Sequence, residues 1–167
     1  EEIAVNDCSK GNMKEILGAL SEKDERLKII DNEVNRGLLH TRIIGSKQAT
    51  GDYISFVDSD DYIDKDFYRL MINKMEETDS DITICNHVRK NGDRKYTSSL
   101  LFNTNDDTYD GEEFYDMYFK QTGRNIRYHL LWNKLIKIDI WKKVLQDAEK
   151  IKDRIVMTED FAFSSLA

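Results

Sequence analysis

Apolar positions along this chain change period again and again, and each change predicts an element. Ile3, Ala4 and Val5 form a short run ending in the polar Asn6-Asp7-Cys8-Ser9, a strand running into a turn. Apolar residues then recur at 13, 16, 17 and 20, a helical spacing, before a charged segment closes the helix. Residues 27–30 read as a second strand, 32–37 as a loop and 38–49 as a helix. The turn Thr50-Gly51-Asp52 leads into Ile54-Ser55-Phe56-Val57, a third strand rich in β-branched and aromatic side chains. An amphipathic helix is expected over 67–77, with Phe67, Leu70, Met71 and Met75 inward, and a strand over 81–87. Strand and helix alternating at this pitch predict an α/β fold with a parallel, doubly wound sheet.

The pattern breaks at 89–110, which is polar apart from Leu100-Leu101-Phe102 and reads as an excursion or flexible loop. It resumes with a helix over 111–121, an apolar segment at 130–138 around Trp132-Asn133-Lys134, a helix over 140–145 and a helical fragment from 161. The 167 residues suit a single domain spanning 1–167, with ordinary globular composition (40% hydrophobic, 34% charged). A start at Glu1, the absence of proline and an apolar end that looks like a helix cut short suggest a piece of a longer protein.

The net charge of -7 argues against nucleic acid and anionic membrane as partners. No apolar run reaches membrane-spanning length and nothing at the start reads as a signal peptide, so a cytoplasmic protein is expected. Cys8 and Cys85 then read as reduced thiols. His40, His87 and His129 form no ligand motif and read as structural or surface groups.

Chemistry concentrates where the third strand ends. Asp58, Asp60 and Asp61 follow it within four residues, at the sheet edge where open α/β folds bind ligands. Hard oxygen ligands there suit Mg²⁺ or Mn²⁺ carrying a phosphate. An isolated acidic turn is more often a helix cap, but a preceding buried-type strand favours the ligand reading. An EF-hand is excluded: counted from Asp58, positions five and six are Tyr62 and Ile63. Asp7 also ends a strand, as a cap or as a second acid at the same edge. Glu159-Asp160 could complement a helix dipole or bring a general base to the site. Arg42 reads as a solvated helix-face residue, and Trp132 and Lys134 as core and surface.

Five segments in this order resemble the family-two glycosyltransferases, inverting enzymes of the GT-A fold. They are Glu2-Ile-Ala-Val-Asn-Asp7-Cys-Ser9, Asn35-Arg-Gly37 with Arg42, Ala49-Thr-Gly51 through Asp58-Ser-Asp60-Asp61, Leu131-Trp-Asn-Lys134, and Glu159-Asp160. The resemblance implies a nucleotide-sugar donor, usually a UDP-sugar, a divalent metal (Mn²⁺ or Mg²⁺) and a glycan or lipid-linked acceptor. It places Asp7 on the nucleotide base or ribose and Arg42 in the donor-binding set. Asp58 falls near ribose and phosphate, Asp60 on the metal as part of an Asp-x-Asp motif, and Asp61 beside them. Asp160 becomes the catalytic base, flanked by Glu159. Polysaccharide or cell-surface glycan synthesis follows, with peripheral association at the inner membrane face if the acceptor is lipid-linked.

The departures are Asn6 in place of the usual first acid and Cys8 in place of the usual Gly. The family's first strand and its acceptor-side region are expected to lie outside the chain. Two other classes compete: a haloacid-dehalogenase-like phosphatase, from Phe56-Val-Asp58-Ser-Asp60, and a non-catalytic glycosyltransferase-like binding module. The former is disfavoured because Tyr62 follows the acids and two β/α units precede them.

Overall fold

The computed structural model describes residues 1–91, 94–97, 108–120, 128–155 and 159–166. The apolar patch 100–102, residue 121 of the predicted helix, and Met157 and Thr158 lie outside the described residues. The chain divides into two compact units, Glu1–Ile54 with Ile138–Ala167, and Ser55–Lys137.

In the first unit, β1 (Glu2–Asn6) and β2 (Leu27–Asp31) pair in parallel with Ala4 opposite Ile29. A parallel pair needs a crossover, and α1 (Met13–Ser21) supplies it. The helical spacing places this helix correctly, yet Met13, Ile16 and Leu20 are among the exposed residues. Helix α2 (Leu38–Ser46) turns Leu39, Arg42, Ile43 and Ser46 inward, the i, i+3, i+4, i+7 face of one helix. It lies close on β1: a Cβ at Gly45 would stand 3.0 Å from Val5 Cγ2, so a side chain there would require the valine to give by a few tenths of an ångström. The helix stops at Ser46, short of the predicted 49. Gln48 N–H donates to Gly45 O (3.0 Å) and Ala49 N–H to Ser46 O (3.2 Å), which tightens the last turn out of α geometry.

Helix α5 (Ile138–Ala148) buries Trp141, Val144 and Ala148. The short α6 (Glu159–Ser164) sets Phe163 against Trp141, with ring centroids 5.2 Å apart. Helices α2, α5 and α6 pack on one another.

Strand β3 (Tyr53–Ser55) leads from the first unit into the second. It is shorter than the predicted 54–57, and Val57, at its far side, is exposed. In the second unit, α3 (Phe67–Thr78) buries Met71 and Met75 and ends at Asp79, which adopts φ 49. Aspartate tolerates that left-handed position better than most residues, and Ser80 N–H returns to Met75 O at 3.0 Å to close the end. Strand β4 (Ile82–Ile84) pairs antiparallel with a strand from the apolar 130–138 segment, Lys134–Lys137, called β7 below. The apolar pattern does not identify that segment as a strand, because a short apolar run fits strand and buried helix alike.

The expected loop at 89–110 is corrected in part: Val88–Asn91 (β5) and Arg94–Thr97 (β6) form an antiparallel hairpin with Asn91 opposite Arg94. Gly92-Asp93, the pair between the two strands in the sequence, is the available hairpin signal. Its flanks are too hydrophilic to alternate visibly. Helix α4 (Gly111–Lys120) opens on a reciprocal cap, Glu113 N–H to Asp110 Oδ1 (2.9 Å) and Asp110 N–H to Glu113 Oε2 (3.2 Å). Tyr118 from α4 is buried.

Candidate functional site

In the first unit the chemistry gathers at the carboxyl end of β1. Buried Asn6 donates its amide to Asp31 Oδ1 (2.7 Å) and accepts Ser9 N–H (3.0 Å), tying the ends of β1 and β2. An acid at position 6 would set two carboxylates against each other there, which accounts for the amide. Asp7 comes next and takes three bonds. Asn32 Nδ2 and Arg36 N–H reach Oδ1, both at 2.8 Å, and Gly37 N–H reaches Oδ2 at 2.9 Å. Asn35 Nδ2 donates to the Asp7 carbonyl (3.0 Å). Burial pushes the Asp7 carboxyl up, but the bonds from Arg36, Asn32 and Gly37 outweigh it and hold the group below its ordinary range. Asp7 therefore stays ionised and pins the loop that enters α2.

Gly37 caps α2 at φ 79, a conformation that strains other residues. A Cβ there would also meet Arg154 Nε at 3.3 Å. Arg154 Nη2 in turn donates to Asn35 Oδ1 (2.6 Å). Asn32 and Arg154 make contacts that hold this loop, and no motif in the sequence singles them out.

One turn further along α2, the solvated-face reading of Arg42 is overturned. Arg42 is 6% exposed and its guanidinium pairs with Asp160, with Glu159 Oε1 at 3.7 Å. It lies on the helix face that also carries Leu39 and Ile43, so packing takes it inward and a carboxylate must meet its charge. Asp7, Arg42 and Asp160 thus belong to the first unit.

Asp58, Asp60 and Asp61 belong to the second unit. Asp61 N–H donates to Asp58 O (3.0 Å), closing a β-turn over the stretch that carries the three acids. Desolvation, then the charges of Asp60 and Asp58, push the Asp61 carboxyl up, with His87 pulling the other way. His87, expected from the sequence to be a structural or surface group, lies within electrostatic reach of the acid turn and meets Trp132 edge-on, with centroids 4.8 Å apart. Among the described residues no three His, Cys, Asp or Glu side chains converge as a metal-ligand set.

The surface reading of Lys134 is corrected as well. It is 4% exposed, and its ammonium donates to Leu130 O and to Asn133 Oδ1 (3.2 Å). Asn133, fully buried, exchanges bonds with Cys85: Cys85 N–H to Asn133 O at 2.9 Å, and Asn133 Nδ2 to Cys85 O at 3.5 Å. These bonds fix the backbone that carries Trp132. Burial also pushes the Cys85 thiol up to about 11, whereas Cys8 is exposed. Cys8 is therefore expected to react with a disulfide reagent near pH 8 well before Cys85. Equal native rates for both would contradict the burial of Cys85.

A family model described as Glycosyl transferase family 2 matches residues 1–145. Glycosyltransferase GlyA of Streptococcus pneumoniae serotype 4 is 30% identical over 158 residues, covering 90% of this chain and 22% of that protein. A poly(ribitol-phosphate) beta-glucosyltransferase of Bacillus spizizenii is 37% identical over 108 residues, covering 64% of this chain and 17% of that protein. Among solved structures, S. aureus TarS 1-349 superposes with a TM-score of 0.68 at 24% identity, covering 97% of this chain and 44% of that one. The same fragment in complex with UDP gives 0.65 at 23%. The chain spans less than half the length of each of these proteins.

Proposed function

Since the chain belongs to glycosyl transferase family 2 and has a GT-A-like α/β fold, we propose that it is the donor-side part of an enzyme moving a sugar from a nucleotide diphosphate, most simply UDP, to a hydroxyl acceptor with inversion. The acceptor is a cell-surface glycan or its lipid-linked precursor, which would bring the protein to the inner face of the membrane. Among the described residues no helix is long and apolar enough to cross it.

The observation that carries this reading is the acid turn. Three carboxylates are closed into one β-turn, and burial and its neighbours' charges push the Asp61 carboxyl up. Such a turn fits a divalent cation. Its donors are hard oxygens, it holds negative charge in excess, and the few protein ligands leave room for diphosphate oxygens. Asp60 would hold Mn²⁺ or Mg²⁺, with Asp58 toward ribose and phosphate and Asp61 beside them. When bound, the ion would neutralise the charge of the departing diphosphate.

Asp7 supplies the nucleoside side, on a loop kept rigid by the bonds to Asn32, Arg36 and Gly37. Asp160 is the base. It removes the proton from the acceptor hydroxyl as the oxygen attacks the anomeric carbon opposite the leaving nucleotide, so one displacement inverts the configuration.

The test is calorimetric titration of UDP into the complete protein with Mn²⁺, with EDTA, and in Asp60→Ala. Binding is expected with Mn²⁺ and is expected to weaken about tenfold or more, ~1.4 kcal/mol, both with EDTA and in the variant. Equal affinity in all three conditions would remove the metal from the site. UDP binding without turnover of any UDP-sugar would favour the binding-module reading.

A further inference from the structure

We propose that Arg42 is a positioning residue for the base. Its buried guanidinium is turned onto Asp160 and Glu159, in place of the donor-binding role that the resemblance implies, and sets where Asp160 stands, so turnover depends on it and donor affinity does not. The proposal rests on the reading of Asp160 as base.

Three observations carry it. First, α6 has six residues, too few to hold an orientation by its own hydrogen bonds. Its direction must come from tertiary contacts. Second, those contacts come from residues three apart, on one face of the helix. Phe163 is fully buried against Trp141 of α5, and Asp160, three residues earlier, pairs with Arg42 of α2. Third, Arg42 is itself fixed. It sits mid-helix on the inward face of α2, and Ser46 Oγ donates to its carbonyl at 2.6 Å.

A planar guanidinium meeting carboxylates of Asp160 and Glu159 limits the orientation of both in a way a flexible ammonium does not. A base must stand within hydrogen-bond reach of the proton it takes, and a displacement of about 1 Å can cost about 10²-fold in rate.

The experiment compares Arg42→Met, Arg42→Lys and Asp160→Asn in the complete protein. It measures kcat and donor KM by UDP release, UDP affinity by calorimetry and the melting temperature of each variant. The expected result is a kcat lowered by about 10²-fold in Arg42→Met, a smaller loss in Arg42→Lys, and unchanged UDP affinity and donor KM in both. If Arg42→Met does not fold, a loss of kcat in Arg42→Lys with unchanged UDP affinity still supports the proposal. A loss of UDP affinity in the Arg42 variants, with or without a loss of kcat, would make Arg42 a donor contact and overturn it. Full kcat in the Arg42 variants beside an inactive Asp160→Asn would overturn the positioning role alone. An active Asp160→Asn would overturn the base assignment and this proposal together.

Discussion

Asp160→Asn is expected to lower kcat by about 10² to 10⁴-fold, the range for removing a positioned general base, while UDP still binds. The substitution keeps the size and shape of the side chain and replaces a proton acceptor by an amide that cannot take a proton. A protein in which only the base is lost should therefore retain the acid turn, the Asp7 loop and the donor affinity that depends on them. The neighbouring ion pair complicates the result in a way that can be measured. Arg42 is 6% exposed, and Glu159 at 3.7 Å is the second acid near its guanidinium. With Asp160 neutralised, a buried cation loses a charged partner but keeps Glu159, and breaking a buried pair costs on the order of 3–5 kcal/mol when no substitute exists. Glu159 should hold the loss below that range. Activity must accordingly be read at a temperature well below the variant's melting point, with UDP release as the signal and UDP titration as the check on the donor site. A kcat within a few-fold of the parent, in a folded protein, would remove Asp160 from the chemistry. Glu159→Gln, which leaves the Asp160–Arg42 pair in place, should lose much less.

The parts of this fold that could be read from the sequence are those where the apolar period is long enough to decide. Met13, Ile16, Leu17 and Leu20 locate α1 at Met13–Ser21, and Phe67 to Met75 locate α3 at Phe67–Thr78, because a 3.6-residue period over two or more turns fits nothing else. The same period does not say how deeply a face is buried, and α1 keeps Met13, Ile16 and Leu20 exposed. Strand β7 is hidden because four residues, Lys-Leu-Ile-Lys, carry too few repeats to reveal a period of two, and their partner β4 lies some fifty residues earlier. A pairing so distant in sequence leaves no local trace.

The candidate site divides along the same line. The acid turn is legible as a cluster because Asp58, Asp60 and Asp61 fall within four residues straight after an apolar strand. Arg42 reads wrongly as solvated, although the signal exists: Leu39, Arg42, Ile43 and Ser46 share one helical face, so a charged residue on that face has to find a buried partner. The identity of that partner, 118 residues later, cannot be seen locally. The role of Asp7 as the anchor of the 32–37 loop is hidden for the same reason. Two of the three bonds it accepts come from the backbone N–H groups of Arg36 and Gly37, which carry no side-chain signal.

Helix α6 makes the link between core packing and chemistry testable from the other side. Trp141→Ala is expected to destabilise the protein by about 3–5 kcal/mol, the range for truncating a buried large aromatic. Trp141 is 1% exposed on α5, in line with Val144 and Ala148 on the buried face, and its ring lies 5.2 Å from that of Phe163. Truncation removes the surface on which Phe163 rests and leaves a cavity beside α6. Trp141→Phe keeps an aromatic surface against Phe163 and should cost far less. The measurement is denaturant unfolding followed by far-ultraviolet circular dichroism, since Trp132 would confuse a fluorescence signal from the second unit. A loss under about 1 kcal/mol, the size of an ordinary substitution, would mean that Trp141 is not the support of α6. If the larger loss is found, its kinetic counterpart should accompany it in the folded fraction: kcat should fall with UDP affinity unchanged, because α6 carries Asp160 and Glu159 while the acid turn lies on another part of the chain. Loss of UDP affinity with retained kcat would separate the Phe163 support from the base and leave Arg42 as its anchor.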